Sequence, residues 1–156
     1  MIMTVVKEII LNDGNRIPEI GFGTYKATNG DGYKVVLDAI RAGYRLLDSA
    51  KVYENEEDVG RAIKESNIPR EEFFITSKLD RNMMGYDMTR SEFENTLKRL
   101  GMDYIDLYLL HWPRADYGKA GFDDWRRLDI ESWRALEELQ KEGKIRSIGV
   151  SNFLPH

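Results

Sequence analysis

Cysteine is absent from this chain. That excludes disulfides, thiol nucleophiles and thiolate metal sites, and fits a reducing, cytoplasmic setting. Histidine occurs only twice, at His111 and His156, so a zinc site has few ligands to draw on and no metal is expected. No apolar run approaches the roughly 20 residues that span a bilayer. The start Met1-Ile2-Met3-Thr4-Val5-Val6-Lys7 lacks the basic and apolar regions of a signal peptide. Lys and Arg do not cluster, and 23 basic against 27 acidic residues leave a net charge of −4. Neither nucleic acid nor an anionic membrane is therefore an expected partner. What remains is ordinary globular material, 42% hydrophobic and 32% charged over 156 residues, enough for one domain with a sizeable core, taken as residues 1–156.

The pattern along the chain is repetitive. Val6 to Leu11 and Ile17 to Ile20 flank the turn signal Asn12-Asp13-Gly14-Asn15 and predict a hairpin. Strand and helix then alternate. Strands are expected at Ile20–Thr24, Tyr44–Leu47, Phe73–Lys78, Tyr104–Leu110 and Ile145–Val150. The first helix runs from near Asp31 with Val35, Val36, Ala39 and Ile40 inward, and Gly43 stops it. The second has Asn55 as N-cap, and the acids Glu54-Asn55-Glu56-Glu57-Asp58 read as dipole-complementing residues of its first turn. The third opens on the capping box Thr89-Arg90-Ser91-Glu92. A loop from Trp112 to about Arg127 precedes the fourth, with Ile130, Trp133, Leu136 and Leu139 inward.

Such alternation implies an α/β fold with a parallel sheet and right-handed crossovers. Polar residues at successive strand ends favour a (β/α)8 barrel of the TIM type over a doubly wound sheet, because barrel strand ends surround one pocket. A closed barrel takes about 250 residues. Five of its eight strands are expected here, leaving the fifth with an unpaired, association-prone edge.

Asp48, Lys78 and His111 close three of those strands, and Tyr53 lies in the loop that follows Asp48. Singly, each has a structural reading. Asp48 could cap a turn, Lys78 could be solvated, Tyr53 could be a packing aromatic, and His111 could be a satisfied core histidine. Jointly they suit proton transfer. A phenol, with its ordinary pKa of about 10, is a poor acid until a neighbouring ammonium lowers that value. A carboxylate can hold the ammonium, and an imidazole can orient a substrate oxygen. No activated Ser or Cys supports acyl transfer. Gly21-Phe22-Gly23-Thr24-Tyr25-Lys26 begins like a dinucleotide fingerprint but lacks its third glycine. Its glycines read equally as close approach to a cofactor or as tight packing at the barrel mouth.

Several segments resemble the aldo-keto reductase family: Gly43-Tyr44-Arg45-Leu46-Leu47-Asp48-Ser49-Ala50 with Tyr53-Glu54-Asn55-Glu56 and Val59-Gly60, Phe74–Leu79, Asp103–Pro113 and Gly143–Phe153. The resemblance implies a hairpin plugging an eight-stranded barrel, and reduction of small carbonyl substrates with NADPH, or with NADH in its place. It implies Tyr53 as general acid, Lys78 lowering its pKa, Asp48 pairing with Lys78 and His111 orienting the carbonyl. Ser151 and Asn152 match the pair holding the nicotinamide amide. Gly23, Thr24, Tyr25 and Asp48 fall on the cofactor side, and Tyr25, His111 and Trp112 at the substrate mouth. Where the family carries an aromatic after Lys78-Leu79, Asp80-Arg81 follows, which implies a more polar rim. The family's later strands and 2′-phosphate loops have no counterpart after His156. The alternative expectation is therefore a catalytically incompetent half-barrel that self-associates through the fifth-strand edge or needs a complementary chain.

Overall fold

The computed structural model of the chain describes residues 7–27, 31–113 and 124–154. Strands β1 (Glu8–Ile10) and β2 (Arg16–Pro18) form the antiparallel hairpin, with Ile9 opposite Ile17. Gly14 turns the chain at φ +88°, a left-handed value that glycine adopts without steric cost. The Asn15 side-chain amide donates to the Arg146 carbonyl at 3.1 Å and to Ser147 Oγ at 2.9 Å, tying the turn to the last strand.

Five parallel strands follow in sequential order: β3 (Gly21–Gly23), β4 (Leu46–Asp48), β5 (Phe74–Leu79), β6 (Ile105–Leu110) and β7 (Ile145–Val150). Helices α1 (Gly32–Arg41), α2 (Glu56–Glu65), α3 (Tyr86–Leu100) and α4 (Asp124–Lys141) connect them. This is the expected partial barrel. Its register fixes the site: Gly23 lies opposite Asp48, Asp48 opposite Thr76, and Leu79 opposite Leu110. All strand ends therefore emerge on one side.

The core lies between sheet and helices. Val36, Ile40, Leu47, Val59, Ile75, Phe93, Ile105, Tyr108, Leu136 and Leu139 are nearly inaccessible. Two inward assignments fail. Val35 is exposed, and Leu37 is buried in its stead. Ile130 is 61% exposed: the buried stripe of α4 runs through Ser132, Ala135, Leu136 and Leu139, and a residue two before Ser132 falls on the opposite face at 100° per residue. Helix α3 also begins a turn before the expected box, with Gly85 at its N-cap, and Thr89 N–H donates to the Gly85 carbonyl. Glu92 turns inward to Arg99 rather than back to the helix start. Most of the loop expected before α4 lies outside the described residues. Among the described residues no helix is long and apolar enough to cross a membrane.

At the end of the sheet remote from the site, buried Asp106 accepts from Arg70 at 2.6 Å and from Ile75 N–H at 2.9 Å, and pairs with Arg146 at 3.2 Å. Between the helices, Gly60 permits a close crossing: a Cβ there would stand 2.1 Å from the Leu100 carbonyl oxygen. Helix propensity alone favours Ala over Gly by about 1 kcal/mol. A clash with backbone outweighs that gain, since overpacking costs about 1–3 kcal/mol. Gly60→Ala is expected to lower the thermal midpoint, and a raised midpoint in a calorimetric scan would refute this account of the crossing.

Candidate active site

Asp48 ends β4, Lys78 lies one residue from the end of β5 and His111 directly follows β6. Tyr53 ends a short 3-10 turn, Lys51–Tyr53, that leads out of β4. The structure brings these four together. Lys78 Nζ donates to Asp48 Oδ1 at 2.7 Å and to the Ser49 carbonyl at 2.9 Å. It also lies 5.1 Å from the centre of the Tyr53 ring. The Tyr53 and His111 rings meet edge-on with centroids 5.7 Å apart. Tyr25 packs against the other side of the phenol at 5.0 Å.

The electrostatics differ in one respect from the sequence reading. The Tyr53 hydroxyl is pushed above its ordinary pKa, first by burial and then by the Asp48 carboxylate and Tyr25. The expected lowering by Lys78 does not prevail here, because burial disfavours the phenolate first and the carboxylate that anchors the ammonium adds to the effect. His111 is held below its ordinary value, chiefly by burial and then by the Lys78 charge, with Asp48 and Asp80 pulling the other way. At neutral pH the site thus presents a protonated phenol and a neutral imidazole beside the Lys78–Asp48 ion pair.

Ser151 and Asn152 follow β7, where Ser151 N–H donates to the Leu110 carbonyl at 2.8 Å. The Asn152 amide donates to the His111 carbonyl at 2.8 Å and to Ser151 Oγ at 2.9 Å. Asn152 takes a left-handed φ of +62°, held by these bonds. The pair is partly exposed and offers hydroxyl and amide groups beside His111. Thr24 is otherwise engaged. Its side chain is fully buried and its hydroxyl bonds the Asp48 carbonyl at 3.1 Å, so what it contributes is the position of the β3 end. Gly23 has no atom within 4 Å of a notional Cβ, which favours open space at the barrel mouth over tight packing. Tyr25 and Trp112 are exposed at the rim. A cavity of about 360 Å³ is lined by Val52, Asp80, Arg81, Asn82, His111 and Trp112, so the Asp80-Arg81 segment lies at this mouth. A larger open groove between α2 and α3 contains none of the four residues.

Two residues of the site escaped the sequence reading. Asn55 stands at the N-cap of α2, but its side chain makes no capping bond. It is buried, donates to the Thr24 carbonyl at 2.8 Å and accepts from Ser49 Oγ at 2.9 Å. Glu56 is also buried and accepts from Ser77 Oγ at 2.5 Å and Arg99 Nε at 2.7 Å. The signal was present: Glu56 lies three, four and seven residues before Val59, Gly60 and Ile63, on the same apolar stripe. A carboxylate on that face must be paired.

The family model for the aldo/keto reductase family matches residues 19–156. The chain belongs to the aldo/keto reductase family. It is 47% identical over 155 residues to a glyoxal reductase of Bacillus subtilis, covering 98% of this chain and 52% of that protein. An aldo/keto reductase structure from Brucella melitensis superposes with a TM-score of 0.85 at 44% identity, over 96% of this chain and 55% of its own. A Bombyx mori aldo-keto reductase in complex with NADP gives 0.82 at 38% identity, over 95% and 51%. The chain spans about half the length of the curated relatives it matches. Homology to named reductases makes oxidoreductase chemistry the family context of this site.

The His111 shift has a checkable consequence. Its depressed folded-state pKa adds stability that is present above the unfolded value of about 6.5 and lost as pH falls through the folded value. In a proton NMR titration His111 is expected to titrate below that ordinary value. Lys78→Met, which removes the opposing ammonium, should move it upward; an unmoved or lowered titration would contradict the electrostatic assignment.

Proposed function

We propose that the site reduces small aldehydes or ketones to alcohols with NADPH, NADH being the alternative, and with Tyr53 as proton donor. The observation that carries the reading is the packing of a half-buried, protonated phenol between an anchored ammonium and a neutral imidazole. The relative named as a glyoxal reductase supports a small carbonyl substrate. The neighbour in complex with NADP supports a nicotinamide cofactor. Ser151 and Asn152 fit such a group, since a hydroxyl and a side-chain amide complement a carboxamide. They would hold its nicotinamide end, with Gly23, Tyr25 and Asp48 alongside. The bound cofactor would supply the hydride.

The chain's own residues handle the oxygen. A neutral His111 donates a hydrogen bond to the carbonyl oxygen and orients it against the phenol. Tyr53 gives its proton as charge develops on that oxygen. Burial and Asp48 keep the proton on Tyr53 beforehand, and Lys78 stands beside the phenolate once it has gone. Asp48 and the Ser49 carbonyl keep Lys78 from following the charge. The exposed rim of Tyr25 and Trp112, with polar Asp80 and Arg81, receives the rest of a small substrate. A cytoplasmic setting accords with the lack of cysteine.

Tyr53→Phe is expected to lose about 10²–10⁴ in turnover while still quenching tryptophan fluorescence on addition of NADPH. Turnover equal to the parent's would remove Tyr53 as the acid.

A second reading has its own observation. Among the described residues β3 and β7 each have one strand neighbour, and Val150 at the end of β7 and Leu154 just beyond it are exposed. Such edges pair readily. On this reading the half-barrel self-associates or takes a complementary chain and does not bind NADPH alone. Light scattering on the purified chain is expected to give a mass above the monomer's 18.1 kDa; a monodisperse monomer that binds NADPH would exclude it.

A further inference from the structure

We propose that Asn55 and Glu56 are positioning residues that set the placement of Tyr53 relative to Lys78 and His111. The inference rests on the proton-donor reading of Tyr53 for its catalytic meaning, but its geometry stands by itself. Tyr53 leaves the 3-10 turn into Glu54, which has a left-handed φ of +54°, and Asn55 follows at once. The phenol is thus two and three residues from two buried polar side chains, with no slack of regular helix between.

Each of the two holds a different wall of the site. Asn55 joins the β3 end, through the Thr24 carbonyl, to the β4 end, through Ser49 Oγ. Ser49 in turn gives its carbonyl to Lys78. Glu56 reaches β5 through Ser77, the neighbour of Lys78 in the chain. Side chains alternate along a strand, so Ser77 faces the helix layer while Lys78 faces the site. Arg99 of α3 closes the other side of Glu56 and is itself held by Glu92 at 2.5 Å and Thr96 at 3.1 Å. One dipeptide therefore links β3, β4, β5 and α3 to the residue that carries the phenol.

The chemistry explains why these residue types stand there. An amide can donate to Thr24 and accept from Ser49 at once, which a carboxylate or an alkyl group cannot. A carboxylate can accept from a hydroxyl and a guanidinium together and forms charge-assisted bonds, stronger and more directional than neutral ones. A plain N-cap would need neither burial nor partners on three strands. Precise placement of reacting groups depends on such supporting bonds.

The test is structural and does not require turnover. In the full chain, nuclear Overhauser cross peaks from the Tyr53 ring to the His111 ring are compared among variants, with Tyr53→Phe assigning the resonances. Asn55→Ala and Glu56→Gln are expected to lose about half or more of that intensity. Asp106→Asn, which breaks the buried network at the far end of the sheet, should keep it. Intact cross peaks in every variant would overturn the proposal. An equal loss in Asp106→Asn would also overturn it, by showing general loosening. Where circular dichroism shows that Asn55→Ala or Glu56→Gln does not fold, Ser49→Ala and Ser77→Ala decide by the same criterion. Each removes a single hydroxyl from one arm. NADPH quenching in the parent chain separately reports on the reductase reading, so either can fail without the other.

Discussion

The Lys78 ammonium is almost wholly buried, and a buried charge survives only if it is paired and hydrogen-bonded. Nearly everything at the strand ends follows from meeting that demand. Asp48 must end β4 where its carboxylate reaches β5, which the register of the two strands provides. Ser49 must extend so that its carbonyl points at the same nitrogen. The paired charge then acts on its surroundings: it helps keep His111 neutral, while its partner carboxylate helps keep the proton on Tyr53. An ion pair of little use to stability, given its desolvation cost, thus reinforces what burial does to the protonation of two neighbours.

The fold was readable because parallel barrels have a simple grammar. Short apolar strands, a glycine stop such as Gly43 and amphipathic helices leave few topologies, and the sheet order observed is the simplest of them. The errors fall where local rules gave two answers. Val35 and Val36 are both apolar, and only packing decides which faces the sheet. Thr89-Arg90-Ser91-Glu92 has the form of a capping box, but Glu92 gains more from the half-buried Arg99 than from a helix end.

Asp48, Lys78 and His111 were legible because they close apolar strands, and Tyr53 because it lies one short loop from Asp48. Asn55 and Glu56 were not, since both sit where an exposed residue would do the same local job. An asparagine before a helix reads as a cap, and an acid in the first turn reads as a dipole partner. What separates them from their exposed equivalents is a partner distant in sequence, such as Thr24 or Arg99, which no local pattern contains. Their serine partners, Ser49 and Ser77, show the same limit: a serine's meaning depends on what accepts its proton.

The hairpin tether carries a consequence for how the chain assembles. Each barrel strand pairs with the next, so most of the sheet grows through nearby contacts. Asn15 and Ser147 are 132 residues apart. Closing so long a loop from a flexible chain costs about 4 kcal/mol. Two hydrogen bonds contribute only about 1 kcal/mol each. The hairpin turn therefore cannot dock first. It settles only once β7 has joined the sheet, and its docked state reports that β7 is in place.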